Sequence, residues 1–252
     1  MKLVVVGGTG LIGSKLVTKL REHAHEAVPA SPDTGVNTLT GHGLADVLQG
    51  ASVVVDVSNS PSFEEKAVMD FFTTSTRNIL KYAAAAGVRH FVALSVVGTE
   101  RIPDSPYLRA KNAQENLIKG GGIPYSIVHA TQFFEFVKRI ADDATVGTTV
   151  RVPPVLFQPM AADDVAKAVG RVAVGPAVNG TVEVAGPQQF RFDELIRQGL
   201  AAYKDSREVV ADPHARYFGA ELDERSLVPW GEAQLGDIRF DEWLGRPALQ
   251  QR

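Results

Sequence analysis

A chain of 252 residues without a cysteine carries 26 basic and 29 acidic residues, a net charge of −3, and is 44% hydrophobic. Its length allows one substantial core, disulfides and thiolate chemistry are excluded, and the balanced charge gives no electrostatic footing for nucleic acid or an anionic membrane. No H-E-x-x-H or comparable histidine spacing suggests a metal, and no apolar run approaches the ~20 residues needed to span a bilayer.

The chain opens with "KLVVVGGTGLIGSK". Residues 3–6 read as a buried strand. From Leu11 the period changes: Leu11, Ile12, Leu16, Val17 and Leu20 share one helical face, and Lys15, Lys19 and Arg21 share the other. The glycines between satisfy Gly7-x-x-Gly10-x-x-Gly13 and Gly8-x-Gly10-x-x-Gly13 together. Early glycines permit the tight turn, Gly10 lets a pyrophosphate approach the backbone, and Gly13 lets the helix pack on the strand. The free N–H groups of the helix N-terminus then face the phosphates, which points to a dinucleotide held by Gly7, Thr9, Gly10, Leu11, Ile12 and Gly13. A secretory leader fits less well, because the glycines break its helix and basic residues stand where a cleavage site belongs. A cytoplasmic protein is expected.

Further along, residues 26–30 read as a second strand. Only "SPDTG" separates it from "GVNTLTGHG", too little for the dozen or more residues of a parallel crossover. The usual second crossover helix is therefore expected to be missing, the third strand absent or short, and residues 32–43 a loop over the adenine end. Residues 53–57 form another buried run, 63–87 a long helix closed by Gly87, and 88–97 a strand. A helix over 106–119 starts with Ser105 as N-cap and Pro106 in the first turn. Residues 124–130 read as a strand, 133–142 as helical, 148–152 as a strand, 162–174 as a helix, 181–184 as a strand and 192–203 as a helix. Residues 204–252, with three prolines and both tryptophans, suggest an irregular cap. The alternation predicts an α/β fold, a doubly wound and mostly parallel sheet. The nucleotide-binding core spans 1–145, and 146–252 supply remaining core elements and a small substrate-binding cap of one integrated domain. Strand C-termini place Gly7–Gly10, Val57, Ser58, Asn59, Ser95 and 130–132 around one crevice.

The stretch "LSVVGTERIPDSPYLRAKNAQE" carries the chemistry. Tyr107 and Lys111 stand at i and i+4 on one helical face, and Ser95 lies at a strand end. A lysine there would lower the phenol's pKa and hold a ribose hydroxyl, the phenol would exchange a proton with a substrate oxygen, and Ser95 would hydrogen-bond that oxygen. Together with "GIPYSIVHATQFFEF" and "QPMAADDVAKAV", these motifs resemble the atypical short-chain dehydrogenase/reductase superfamily, within it the NmrA-like NAD(P)-binding branch, over residues 1–200. The resemblance implies a Rossmann-like fold with Tyr107 as acid/base, Lys111 as ribose anchor and Ser95 as carbonyl partner. The family's usual arginine before the lid helix is His129 here, so its role does not transfer.

The expected activity is NAD(P)H-dependent hydride transfer to a small-molecule carbonyl. The alternatives are an NmrA-like redox sensor working through protein contacts, or a quinone reductase. The second strand ends in Ser31 and then Asp33 with no arginine. Ser31, with Lys15 nearby, would accommodate a 2′-phosphate, and Asp33 would favour NAD; NADP(H) is preferred, with NAD(H) possible. Gln132, Phe133 and Phe134 are candidate substrate residues, with Phe136 beside them. Asp163 and Asp164 read as helix caps. His214, Arg216 and Tyr217 either close over the substrate or serve structure, and His90 and His129 read as packed. A monomer or homodimer acting on a small molecule is expected.

Overall fold

The computed structural model describes residues 1–247; residues 248–252, the end of the expected cap, lie outside the described residues. In chain order the elements are β1 (Lys2–Val6), α1 (Leu11–Glu22), β2 (Glu26–Ala30), α2 (Leu44–Leu48), β3 (Val53–Asp56), α3 (Glu65–Ala85), β4 (His90–Val96), α4 (Pro106–Lys119), β5 (Tyr125–Ala130), α5 (Val137–Asp143), β6 (Thr145–Val146), β7 (Thr149–Val152), β8 (Leu156–Phe157), α6 (Ala162–Val174), β9 (Gly180–Ala185), β10 (Phe190–Arg191), α7 (Phe192–Ala202), β11 (Glu208–Ala211), β12 (Gln234–Leu235) and α8 (Phe240–Leu244).

Seven strands form one sheet in the order β12-β9-β5-β4-β3-β1-β2, and every pairing in it is parallel. Strand alternation splits the core into two layers. Leu3 and Val5 join α1 and α6 on one face. Val4 and Val6 join α2, α3 and α4 on the other. Pro29 is tolerated because β2 is an edge strand with its outer side unpaired.

The crossover from β2 to β3 is abbreviated. The sheet ends at β2 on that side, so no third strand extends it, and β3 returns to pair with the other side of β1. The crossover does contain a helix, but only the five residues of α2. Before it, Pro32–Thr34 make a 3-10 turn and Asn37 bridges His42.

Several boundaries differ from those read in the sequence. The helix expected from residue 63 begins at Glu65, because the Glu64 carboxylate accepts from the Ala67 N–H and caps it. The segment expected to be helical from residue 133 starts with Phe133 bridged to Met160, then a 3-10 turn over Phe134–Phe136, then α5. The largest correction concerns the expected irregular cap. Phe134 of the 3-10 turn, Phe157 of β8, Phe192 of α7, and Phe240 and Trp243 of α8 belong to a second buried apolar cluster, which α5 and β7 join through Val137, Ile140, Val150 and Val152, with Phe157 and Phe192 stacked at 4.2 Å between ring centres. Long-range aromatic packing replaces the periodicity that short strands and loops lack.

The two carboxylates at the start of α6 do not cap it. Asp164 accepts from the N–H groups of Asp237 and Ile238, and Asp163 faces Lys15 and Arg246. The first N–H of α6 is met instead by Glu135, which reaches Ala162 with both oxygens at 3.1 Å.

Candidate functional site

A cavity of about 1110 Å³ runs along the C-terminal ends of the parallel strands, where an open α/β sheet places its ligands. Its near end is the first turn. Gly7 has φ +77°, and a Cβ there would stand 2.8 Å from Ser58 Cα, so only glycine fits. Gly10 opens α1 in extended conformation, with no side chain capping the helix. The N–H groups that begin α1 are left for a ligand, the arrangement that holds an anion. Gly7, Thr9, Gly10, Leu11 and Ile12 all line the cavity.

Gly13 does not. It is buried in the helix–strand contact, where a Cβ would lie 2.1 Å from the Gly7 carbonyl oxygen. Its part in the site is to let α1 approach the turn rather than to touch a ligand.

Beyond the turn, Ser31, Pro32, Val36, Asn37, Thr38 and Leu39 line the cavity, so the loop over 32–43 does flank it. The Thr9 N–H donates to Ser31 Oγ at 3.3 Å, and the Thr9 hydroxyl to Asp33 at 3.4 Å. Lys15, expected to stand near Ser31, faces Asp163 at 3.5 Å instead, because α1 packs against α6. No cation is found among the cavity-lining residues of this end.

Val57 and Ser58 lie against the Gly7 turn, and from there the cavity continues past Asn59, Ser95, Tyr107, Lys111, Gln132 and Phe133. Helix α4 starts as expected, with Ser105 Oγ accepting from the Leu108 N–H and Pro106 in the first turn. One turn of this helix carries both Tyr107 and Lys111 to the cavity. The phenol donates to Asn59 Oδ1 at 3.4 Å and sits among the rings of Phe63, Phe72 and Phe218. Its pKa moves opposite to the sequence expectation: burial pushes it above its ordinary value. Lys111 does not offset this: its ammonium donates to the Leu94 carbonyl at 2.9 Å and to Gln114 Oε1 above the ring of Phe72. Burial lowers the lysine to about 8, against the opposing pull of Asp56 and Glu115.

Beneath the cavity floor lies a polar network that the sequence reading missed. Gln114 Nε2 donates to Asp56 at 2.9 Å, and Asp56 also accepts from the Ser58 hydroxyl at 2.6 Å. Burial holds the Asp56 carboxyl above the usual range despite Ser58 and Lys111. Ser95 donates to Glu115 at 2.6 Å, and His129 Nε2 lies 2.9 Å from the same oxygen. Burial raises Glu115, but His129, Ser95 and Lys111 together hold it below the usual carboxylate value. With its proton directed at Glu115, Ser95 presents lone pairs to the cavity rather than the donor expected of a carbonyl partner. The signal for this network was present in the helix period: Gln114 and Glu115 stand three and four residues after Lys111, on its face.

Of the three expected substrate residues, Gln132 and Phe133 line the cavity with Phe136, whereas Phe134 does not. Phe134 is fully buried against Phe240 and Trp243, because the 3-10 turn rotates it to the opposite side from its neighbours. Arg216 and Tyr217 reach the cavity and His214 does not. His90 packs within the sheet against Ser126 Oγ at 2.9 Å. Among the described residues no helix is long and apolar enough to cross a membrane.

The NAD(P)H-binding family model matches residues 7–176. The photosystem II assembly factor Ycf39 of Synechocystis is 23% identical over 217 residues, covering 78% of this chain and 66% of that protein; the chain thus spans just under two thirds of that relative's length. Among solved structures, a double mutant of DesIV, a dTDP-glucose 4,6-dehydratase from Streptomyces venezuelae with NAD bound, aligns with a TM-score of 0.71 at 18% identity, over 90% of this chain and 89% of that one. The triphenylmethane reductase of Citrobacter complexed with NADP(H) aligns at 0.64 and 18% identity, over 85% and 80%. At these identities the structural likeness is one of fold.

Proposed function

The chain belongs to the NAD(P)H-binding family, and from that premise we propose that it is an NAD(P)H-dependent reductase of a carbonyl-type substrate with Tyr107 as proton donor. One observation carries the reading: the uncapped start of α1 and the Tyr107 phenol line the same continuous cavity. The backbone of Gly7–Ile12 would hold the diphosphate, Ser31 and residues 36–39 the adenosine, and Val57, Ser58, Asn59 and Lys111 the nicotinamide ribose. Bound there, the nicotinamide supplies a hydride.

The protein's own share is the proton. A buried phenol whose pKa lies above its ordinary value stays protonated through the neutral range, so the proton is in place for transfer although the group is a weaker acid than a free phenol. In the reduction the carbonyl carbon would take the hydride, its oxygen would take the phenolic proton, and the phenolate would recover a proton from solvent. Asn59 orients the phenol. At the adenosine end Ser31 is buried with its hydroxyl accepting from the Thr9 N–H, no lining residue there supplies a cation, and Asp33 is hydrogen-bonded to Thr9. Both NADH and NADPH therefore serve, with less preference for NADPH than Ser31 alone suggests.

The test titrates each nucleotide into the protein and follows nicotinamide absorbance over carbonyl and quinone panels, with Tyr107→Phe alongside. Carbonyl reduction is expected to fall by about a hundredfold or more in Tyr107→Phe, in the range of a lost general acid, while nucleotide affinity holds. Tight nucleotide binding with no turnover would replace the reductase with a non-catalytic binding protein. Quinone turnover that survives loss of the phenol would remove Tyr107 from the chemistry.

A further inference from the structure

One tight turn is built from the wrong kind of residue. Tyr217 and Ala220 exchange both backbone hydrogen bonds, at 2.9 and 3.2 Å, leaving Phe218 and Gly219 as a two-residue loop. Both have positive φ, +48° and +84°, the signature of a type I′ turn. Gly219 suits its place. The first position favours asparagine or aspartate, whereas a bulky aromatic in left-handed conformation is strained. Strain of this kind persists where something holds it and gathers at functional sites.

What the strain delivers is a ring at the cavity. Phe218 is 39% exposed, lines the cavity and stacks on Tyr107 at 5.1 Å between ring centres and 22° between planes. Phe63 and Tyr217 meet it at 5.5 and 4.7 Å. The same cavity is walled by Phe71, Phe133 and Phe136. Gln132, nearly buried, stands with Tyr107, Tyr217 and Phe218 around a small adjoining recess, and its side-chain oxygen has no hydrogen-bond partner. That oxygen can accept only from a donor, such as the hydroxyl of the alcohol that reduction of a carbonyl leaves.

We propose that Phe218 is a specificity-determining residue, held in strain so that its ring forms a flat wall beside Tyr107, and that the substrate is accordingly a planar aromatic carbonyl compound. This rests on the reductase reading for the chemistry but not for the binding. Ring-on-ring contact in offset or tilted geometry rewards a flat π face over a saturated ring of equal size.

The substitution Phe218→Asn separates this role from a structural one, because asparagine suits the turn. Its expected melting temperature is equal to or above that of the wild type. A naphthalene carboxaldehyde and its fully saturated decalin counterpart are compared by calorimetry on the NADP+-loaded protein, which has no hydride to give, and turnover of each is assayed separately with NADPH. The wild type is expected to bind the flat aldehyde at least tenfold more tightly, Phe218→Asn to lose most of that preference, and Phe218→Trp to retain it. An equal affinity of the wild type for both aldehydes, or a preference that survives in Phe218→Asn, overturns the proposal. A lower melting temperature of Phe218→Asn with the preference intact assigns Phe218 to structure. Flat-ring preference without turnover of either aldehyde supports the proposed wall and sinks the reductase reading, so the two failures are told apart.

Discussion

Lys111 is the residue whose behaviour departs furthest from its sequence spacing. The i, i+4 relation to Tyr107 suggests an ammonium that acidifies the phenol, yet the side chain is 3% exposed and turned toward Leu94 and Gln114. Its pKa is lowered to about 8 by burial, so the folded state gives up this proton more readily than the unfolded chain. The linked stability contribution is therefore unfavourable below about pH 8 and is relieved as pH rises from there toward the ordinary lysine value. Denaturant titrations at pH 7 and pH 10 should show the wild type gaining on the order of 2 kcal/mol relative to Lys111→Met over that interval. An unchanged difference between the two proteins would mean that Lys111 keeps its charge in the fold. Ser95 makes the complementary point: its position at a strand end was readable, but the direction of its hydroxyl was set by Glu115, twenty residues away on another element.

Among the elements, the β1–α1 turn is the one whose sequence and structure agree most fully. A β-branched run, a change of period at Leu11 and the glycine spacing are all local signals, and the structure returns β1, an uncapped helix start and a Gly13 pressed against Gly7. Gly13→Ala should therefore move α1 away from the turn. The expected outcome is a loss of about 1–3 kcal/mol, the usual range for overpacking, together with weaker NADH and NADPH binding, read by denaturation and nucleotide titration. A variant with wild-type stability and affinity would show that the turn has slack which the 2.1 Å approach denies. The β2–β3 crossover was half legible. Its shortness excluded a full helix, but the five residues of α2 depend on Leu44 and Leu48 reaching the core beneath α3, a contact that local pattern does not reveal.

For the whole molecule, the second apolar cluster backs one wall of the cavity through Ile140, Val152 and Phe192. Trp243 is 1% exposed, stacks with Phe240 at 6.0 Å and donates to Glu135 at 3.1 Å. Glu135 in turn holds the first N–H of α6, so α8 and the end of the cavity wall are tied to the main sheet's helical layer. Trp243→Ala should destabilise the protein by about 3–5 kcal/mol, measured by equilibrium unfolding; a loss below about 1 kcal/mol would mean the cluster collapses around the void. The sequence by itself determined what short-range physics encodes: the alternation of strand and helix, the glycine turn into α1, the start of α4 and the common face of Tyr107 and Lys111, each set within one or two turns of chain. Only the tertiary structure decided which way the polar groups point, which of Phe133, Phe134 and Phe136 meet the cavity, and that the C-terminal third packs as a core. Those outcomes depend on desolvation and on partners tens to more than a hundred residues distant, which no local spacing contains.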